Sequence, residues 1–394
     1  MSFTSSERLK RLGPWNCAAI VAWSAAILGI ILHRAFSHSR TTLEVFQLAG
    51  HHWIHGEYLY ADRRGFVYSP LAAALFSGLE VLPRAAATIV WVSVNAAALL
   101  SGMFAMLKGG FAPAIRREHF GVAFLLLLPL AIGNLDVLQA NALVIGLLMH
   151  AFSAADRNRW GIAAICIAVA TYFKIYPFAA GLLLILLAPW RFGWRLTLAM
   201  LAFGLLPFLF QHWAYVSEQY HSWIVTRTAD NRLQYSDKDA PLDLWFVLVR
   251  LGHLPLTAGI YRLMQVAGGG AIALFELYGI WRNGPRARIL AGAFAFLSVW
   301  MTLIGPATEG YTYLLLAPAV AIAVVEIWSG KQGFLECVGI AIAFAFLLFA
   351  MARNSFFPHA RSTWIMSAQP IGAAIFLGVC LLRLRMRASL PSRK

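Results

Sequence analysis

Apolar runs recur along almost the whole chain, each broken by a short charged or Gly/Pro-bearing link, and this pattern predicts a bundle of spanning helices. The runs fall at about 15–33, 86–107, 119–133, 139–154, 160–173, 177–190, 196–211, 261–281, 288–304, 311–328, 334–351 and 368–384, roughly twelve in all. Two stretches interrupt the rhythm with polar, aromatic and acidic residues: about 34–85 and about 212–260. They read as two large loops of one integral membrane domain covering 1–394. Within the first, Tyr68–Pro83 is about fifteen residues long, too short for a span and punctuated by Pro70 and Pro83. It is expected to be a re-entrant or interfacial hairpin. The fold class is therefore an all-α polytopic membrane protein.

Composition agrees: 60% hydrophobic and 12% charged residues, with a mean hydropathy of +0.69, leave too little polar surface to coat a 394-residue soluble globule. A formal net charge of +15 would suggest nucleic acid in a soluble protein. Here roughly nineteen of the basic residues sit in short links and tails, where they orient helices, so no nucleic acid is expected. With the N-terminus in the cytoplasm, the links at Lys108/Arg116/Arg117, Arg157/Arg159, Arg191/Arg195, Arg282/Arg286/Arg288 and the tail from Arg383 all fall on the cytoplasmic side. This places the protein in the inner (plasma) membrane with both termini cytoplasmic. The first run lacks a small-residue cleavage site and is expected to be a retained helix.

Most carboxylates then collect on the opposite, periplasmic side, among them Glu44, Glu57, Asp62, Glu80, Asp136, Asp243 and Glu309. The first loop carries Val45, Leu48, Trp53 and Ile54 at the spacing of an amphipathic helix lying in the interface, against membrane lipids. His51 and His55 have the i, i+4 spacing of zinc ligands, but no third ligand accompanies them and no metal site is expected. Asn134, Asp136, Gln139 and Asn141 crowd one turn, and Lys174 stands beside Pro177 between two apolar helices. Ionisable groups at membrane depth are functional candidates; Lys174 either meets a ligand or snorkels to water. In the second loop Arg227, Asn231, Arg232, Lys238 and Arg250 mix with four aspartates, a set that either binds phosphate or pairs with itself. The four cysteines have no metal-ligand spacing, and no nucleotide loop, dinucleotide glycine pattern or serine-hydrolase elbow is present. No cofactor is expected, and an activated donor would have to come from the membrane.

The order of motifs resembles the membrane-embedded GT-C glycosyltransferases that use polyprenyl-phosphate sugars, specifically glycosyltransferase family 87, which includes phosphatidylinositol-mannoside mannosyltransferases. The landmarks are Leu43-Glu-Val-Phe46 leading to Gly56-Glu-Tyr-Leu-Tyr60, Phe66-Val-Tyr-Ser-Pro70 ending in Leu82-Pro83, and Asn134 through Gln139-Ala-Asn141. Lys174-Ile-Tyr-Pro177, the pair Arg191 and Arg195, Gly305-Pro306 and Tyr311-Thr-Tyr313 continue the series. The resemblance implies a GT-C-like bundle, a polyprenyl-phosphate mannose or related hexose donor, a lipid or glycan acceptor, and inversion by one direct displacement. It further implies a carboxylate base in the first loop and polar and cationic contacts to the phosphosugar, for which Tyr68, Asn134, Gln139, Asn141, Lys174 and Tyr311 are the candidates, with Arg227 and Arg232 of the second loop beside them.

Two positions depart from the family pattern. Where the family usually has an Asp four residues before the aromatic matched by Phe46, this chain has Thr42, which cannot act as that base. Glu44 is the nearest carboxylate, although on a helix it points about 160° away from position 42; Glu57 and Asp62 are alternatives. Near Pro306 the chain has Thr308-Glu309-Gly310-Tyr311 where many members have Trp and His, so Glu309 is a further candidate. A transporter or flippase of a lipid-linked sugar, and a binder that does not turn the sugar over, are the competing readings.

Overall fold

The computed structural model describes residues 13–37, 39–61, 65–228, 240–305, 308–328, 332–357 and 362–388. Helices make up most of the described residues: α1 Pro14–Phe36, α2 Thr42–His55, α3 Pro70–Glu80, α4 Arg84–Lys108, α5 Phe120–Asp136, α6 Asn141–Asp156, α7 Trp160–Phe173 and α8 Phe178–Leu187. They continue as α9 Pro189–Leu205, α10 Trp213–Thr228, α11 Ala258–Trp281, α12 Arg286–Val299, α13 Ala317–Trp328, α14 Phe334–Phe356 and α15 Ala368–Ala388.

Among the described residues, seven helical segments are long and apolar enough to cross a membrane: Pro14–Phe36, Arg84–Lys108, Arg117–Asp136, Pro189–Leu209, Ala258–Trp281, Arg286–Ile304 and Phe334–Arg353. Five of the other expected runs are apolar helices of 10–17 residues, α6, α7, α8, α13 and the stretch Ala368–Leu384. The molecule is thus a polytopic, all-helical membrane protein. The hairpin expected at Tyr68–Pro83 contains an 11-residue helix, α3, short of a span.

The chain divides into two compact units, one built from 26–102 and 134–232, the other from 1–25, 103–133 and 233–394. In the first, α2 begins where Thr41, in extended conformation, caps the helix and Glu44 reaches back to complete a reciprocal capping box. The helix ends at Gly56, whose φ of 70° only glycine adopts without strain; its N–H bonds back to His52 and Trp53. Helix α2 lies directly on α3: a Cβ at Gly50 would come within 2.6 Å of the Phe76 carbonyl oxygen. The buried face of α2 is Leu43, Phe46, Ala49, Gly50 and Trp53, while Leu48 and Ile54 are exposed. The amphipathic stripe expected from Val45, Leu48, Trp53 and Ile54 is therefore divided: Trp53 points into protein because the smaller residues one turn away admit α3.

The same unit is centred on an aromatic cluster. Phe46 stacks on Phe76 at 4.2 Å and meets Tyr68 and Trp91 edge-on at 5.3 Å each, and Trp91 stacks on Phe173 at 6.3 Å. Each such pair adds about 0.5–1.5 kcal/mol beyond simple burial. The cluster welds the first loop to α4 and α7.

In the other unit Arg383 of α15 donates to Glu336 of α14 at 2.8 Å and to Glu326 of α13 at 3.0 Å. This residue, at the start of the expected basic tail, ties three helices together. Tyr313 donates to the Leu242 carbonyl at 2.8 Å, and the Leu242 N–H to that of Thr308 at 2.7 Å, fixing the end of the second long connection.

Candidate functional site

Three groups of side chains gather in the unit that holds the first loop. The first lies where α1, α2, α4 and α5 end or begin. Glu44 uses one oxygen to accept from the Thr41 N–H at 2.8 Å and its hydroxyl at 2.7 Å, and the other to pair with Arg84 at 2.9 Å. Asp136, at the end of α5, accepts from Arg34 Nε at 2.8 Å and from the same guanidinium's Nη2. His33 Nδ1 stands 3.5 Å from the first of those oxygens. Ser39 connects the two ion pairs, its hydroxyl meeting Arg34 and its carbonyl accepting from Arg84 at 2.8 Å. The Thr42 N–H donates to the Val137 carbonyl at 3.0 Å, which holds the α5 terminus against the start of α2.

The second group is the turn between α5 and α6. Asn134 and Asn141 are fully buried, Asn141 donates to Gln139 Oε1 at 2.8 Å, and the Gln139 N–H closes onto the Asn134 carbonyl at 3.2 Å. Leu138 sits in the left-handed region at φ 61°, a conformation that costs a non-glycine residue about 1–2 kcal/mol. It is held there by Trp91, whose indole N–H donates to the Leu138 carbonyl at 2.8 Å. Asn95, one turn along α4, accepts from the Leu143 N–H at 3.0 Å.

The third group surrounds Lys174, the extended residue that terminates α7. Its ammonium lies 6.0 Å from the ring centres of both Tyr68 and Tyr176, at the outer limit of a cation–π contact. Ser69 anchors the Tyr68 segment by donating its hydroxyl to the Tyr172 carbonyl at 2.6 Å. Trp91 connects the second and third groups, since the indole that holds Leu138 also stacks on Phe173 beside Lys174.

Helix α10 and the residues just before it lay a polar stripe over the first loop. Gln211 donates to the Trp53 carbonyl, Tyr215 to that of Glu57 at 2.8 Å, and Trp223 to that of Val67 at 3.3 Å, while Gln219 accepts the Leu59 N–H at 3.0 Å. Arg227, the next residue at this four-residue spacing, acts electrostatically on Tyr60. Tyr60 is buried and donates to the Tyr68 carbonyl at 2.8 Å. Burial, reinforced by neighbouring Tyr220 and Tyr215, pushes its phenol far above the ordinary tyrosine range; Arg227 opposes this only in part. Tyr60 is thus a neutral donor that shapes the loop.

Of the residues expected from the sequence, this unit holds Glu44, Tyr68, Asn134, Gln139, Asn141, Lys174 and Arg227. Glu309 and Tyr311 belong to the other unit, where Glu309 forms a capping box with Thr312 and Gln369 donates to the Gly310 carbonyl at 2.8 Å. Asp62 and Arg232 lie outside the described residues. Among the described residues no three His, Cys, Asp or Glu side chains are grouped to hold a metal ion. His51 lies 3.3 Å from Glu80, and its ring is tilted against that of His55 with centroids 4.1 Å apart.

Sequence reasoning missed His33 and Arg34, which read as ordinary basic residues closing an apolar run, and the α10 stripe. The stripe had a signal, a polar or aromatic hydrogen-bonding residue at every fourth position from Gln211 to Arg227.

Comparison with known proteins adds one family. The model described as Glycosyltransferase family 87 matches residues 66–306, well over half of the chain. No curated protein matches. Among solved structures, ArnT from Cupriavidus metallidurans in the apo state is similar at a TM-score of 0.42 and 13% identity, over 92% of this chain and 77% of that one.

Proposed function

Because this chain belongs to glycosyltransferase family 87, we propose that it transfers a hexose, mannose or a close relative, from a polyprenyl-phosphate donor to a lipid or glycan acceptor at the periplasmic face of the inner membrane. The observation that carries this reading is the convergence of Lys174, Tyr68 and the Asn134–Asn141 turn about the Trp91 cluster, inside the family-matched segment.

A phosphomonoester-linked sugar needs three things from its site. The phosphate needs a cation and hydrogen-bond donors, which grow more valuable as negative charge builds on the leaving oxygen. Lys174 supplies the charge, and the amide side chains of Gln139 and Asn141 supply neutral donors and acceptors suited to sugar hydroxyls. Arg227 adds a second cation at the first loop. The polyprenyl chain needs an apolar path, and the exposed apolar flanks of the helices, such as Ile162 and Ile165 on α7, offer one. The acceptor hydroxyl needs a group to take its proton as it attacks. Backside attack at the anomeric carbon then expels polyprenyl phosphate in one step with inversion.

Among the carboxylates proposed from the sequence, Glu44 is already occupied. One oxygen accepts two hydrogen bonds from Thr41 and the other faces Arg84, which suits it to fixing the start of α2 more than to taking a proton. Glu309 and Asp62 stay as proposed carboxylates of the site, and Tyr311 and Arg232 as proposed donor contacts.

The test is transfer of radiolabelled sugar from polyprenyl-phosphate mannose to total membrane lipid by the purified protein. Label in a new lipid product supports the reading. Its absence with mannose and with other polyprenyl-phosphate hexoses rejects it in favour of a transporter or a non-catalytic binder.

A further inference from the structure

We infer that His33, oriented by Asp136 and Arg34, is the base that accepts the proton of the acceptor hydroxyl, an assignment that rests on the glycosyltransferase reading above. The three residues form a graded series. Arg34 is the most enclosed, with 12% of its side chain exposed; Asp136 is intermediate at 32%; His33 is open at 59%. Such a series places an anchor inside, an orienting anion in the middle and a reachable group at the surface.

Asp136 itself is poorly suited to take a proton. Both of its oxygens are already engaged by one guanidinium, Nε at 2.8 Å and Nη2 on the other side. An anion held in that way suits the task of orienting an imidazole. His33 Nδ1 stands 3.5 Å from Asp136, within ion-pair reach of the carboxylate, and a neutral ring that carries its proton on Nδ1 keeps the lone pair on Nε2. Nucleophile activation by a base that is itself oriented by a third group recurs in unrelated enzymes. The geometry also addresses Thr42, whose hydroxyl is no base: its amide is bonded to Val137, so the Asp136 turn is brought to the very start of α2.

In the step assigned here, His33 Nε2 takes the hydroxyl proton while the acceptor oxygen bonds to the anomeric carbon. The bond from that carbon to the phosphate oxygen breaks with its electron pair passing to polyprenyl phosphate. The imidazolium, paired with Asp136, then returns its proton to water. The charged groups about His33 are Asp136 from α5 and Arg34 on its own helix, with Arg84 and Glu44 one step further through Ser39.

The experiment compares wild type with His33→Asn, whose amide can still donate toward Asp136 but cannot accept a proton at catalytic strength. Polyprenyl-phosphate mannose is the donor and solubilised membrane lipid the acceptor. Expected results are a fall in kcat of roughly 100- to 1,000-fold with donor KM unchanged, and loss of the acidic limb of the pH–rate profile. Partial recovery of His33→Ala by free imidazole is expected alongside. Unfolding is monitored by the thermal midpoint, and the imidazole recovery keeps the result interpretable if the asparagine variant is less stable. Wild-type transfer with full activity in His33→Asn, or with an unchanged acidic limb, overturns the inference and leaves the glycosyltransferase reading standing. No transfer by wild type from any polyprenyl-phosphate hexose overturns both.

Discussion

Arg84 and Glu44 meet at 2.9 Å, joining the first turn of α4 to the first turn of α2. The same carboxylate caps its own helix through Thr41, so one side chain sets both where α2 begins and what it faces. Glu44→Gln keeps the shape but loses the charge. The expected outcome is a loss of about 1 kcal/mol in stability, the sum of a weakened cap and a part-exposed ion pair, with transfer activity retained within a few-fold. Thermal melting in detergent beside the transfer assay checks both halves; loss of transfer in a fully folded protein would return Glu44 to the role of base.

Lys174→Met should raise donor KM by roughly tenfold or more while leaving the thermal midpoint nearly unchanged, because the thioether fills the same volume between Tyr68 and Tyr176 without the charge. Steady-state kinetics over a range of polyprenyl-phosphate mannose decides it. Unchanged kinetics would mean that the ammonium simply reaches water.

Gln219 is buried and receives the Leu59 N–H, so Gln219→Leu strands a donor inside the protein. A destabilisation of about 1–3 kcal/mol is expected. Hydrogen exchange should locate it: the Leu59 amide gains exchange far more than the amides of α6.

The Tyr60 phenol is held neutral well above the ordinary tyrosine range by burial. The folded state therefore binds this proton more tightly than the unfolded chain does, and the associated stability is complete below the unfolded value near 10 and declines as pH rises beyond it. Wild type should lose stability between about pH 10 and 11.5 more steeply than Tyr60→Phe, as read from thermal midpoints across that range.

The spanning helices were legible because a membrane imposes a length and a composition on each segment, and those constraints are visible in Arg117–Asp136 or Phe334–Arg353 without any knowledge of neighbours. The buried face of α2 was not. Trp53 and Leu48 are equally apolar in sequence, and only the close approach allowed by Gly50 determines which one meets protein. The role of Glu44 was half visible: Thr41-x-x-Glu44 is a capping signature, although the partner Arg84 lies forty residues away and had no local signal. The pairing of Arg34 with Asp136 spans 102 residues and depends on which helix ends coincide, which periodicity does not reveal.

The stripe on α10 carries a consequence for how this chain tolerates change in length. Its four helical residues, Tyr215, Gln219, Trp223 and Arg227, recur every four positions, whereas a helical turn takes 3.6, so the stripe winds by about 40° at each step as it follows the first loop. Inserting a single residue between Tyr215 and Gln219 would turn everything beyond it by about 100°. Trp223 would leave the Val67 carbonyl and Arg227 would swing away from Tyr60, with no residue substituted. Descent in this part of the chain should therefore proceed by exchange of side chains and not by gain or loss of single residues, the opposite of what a long polar loop ordinarily permits.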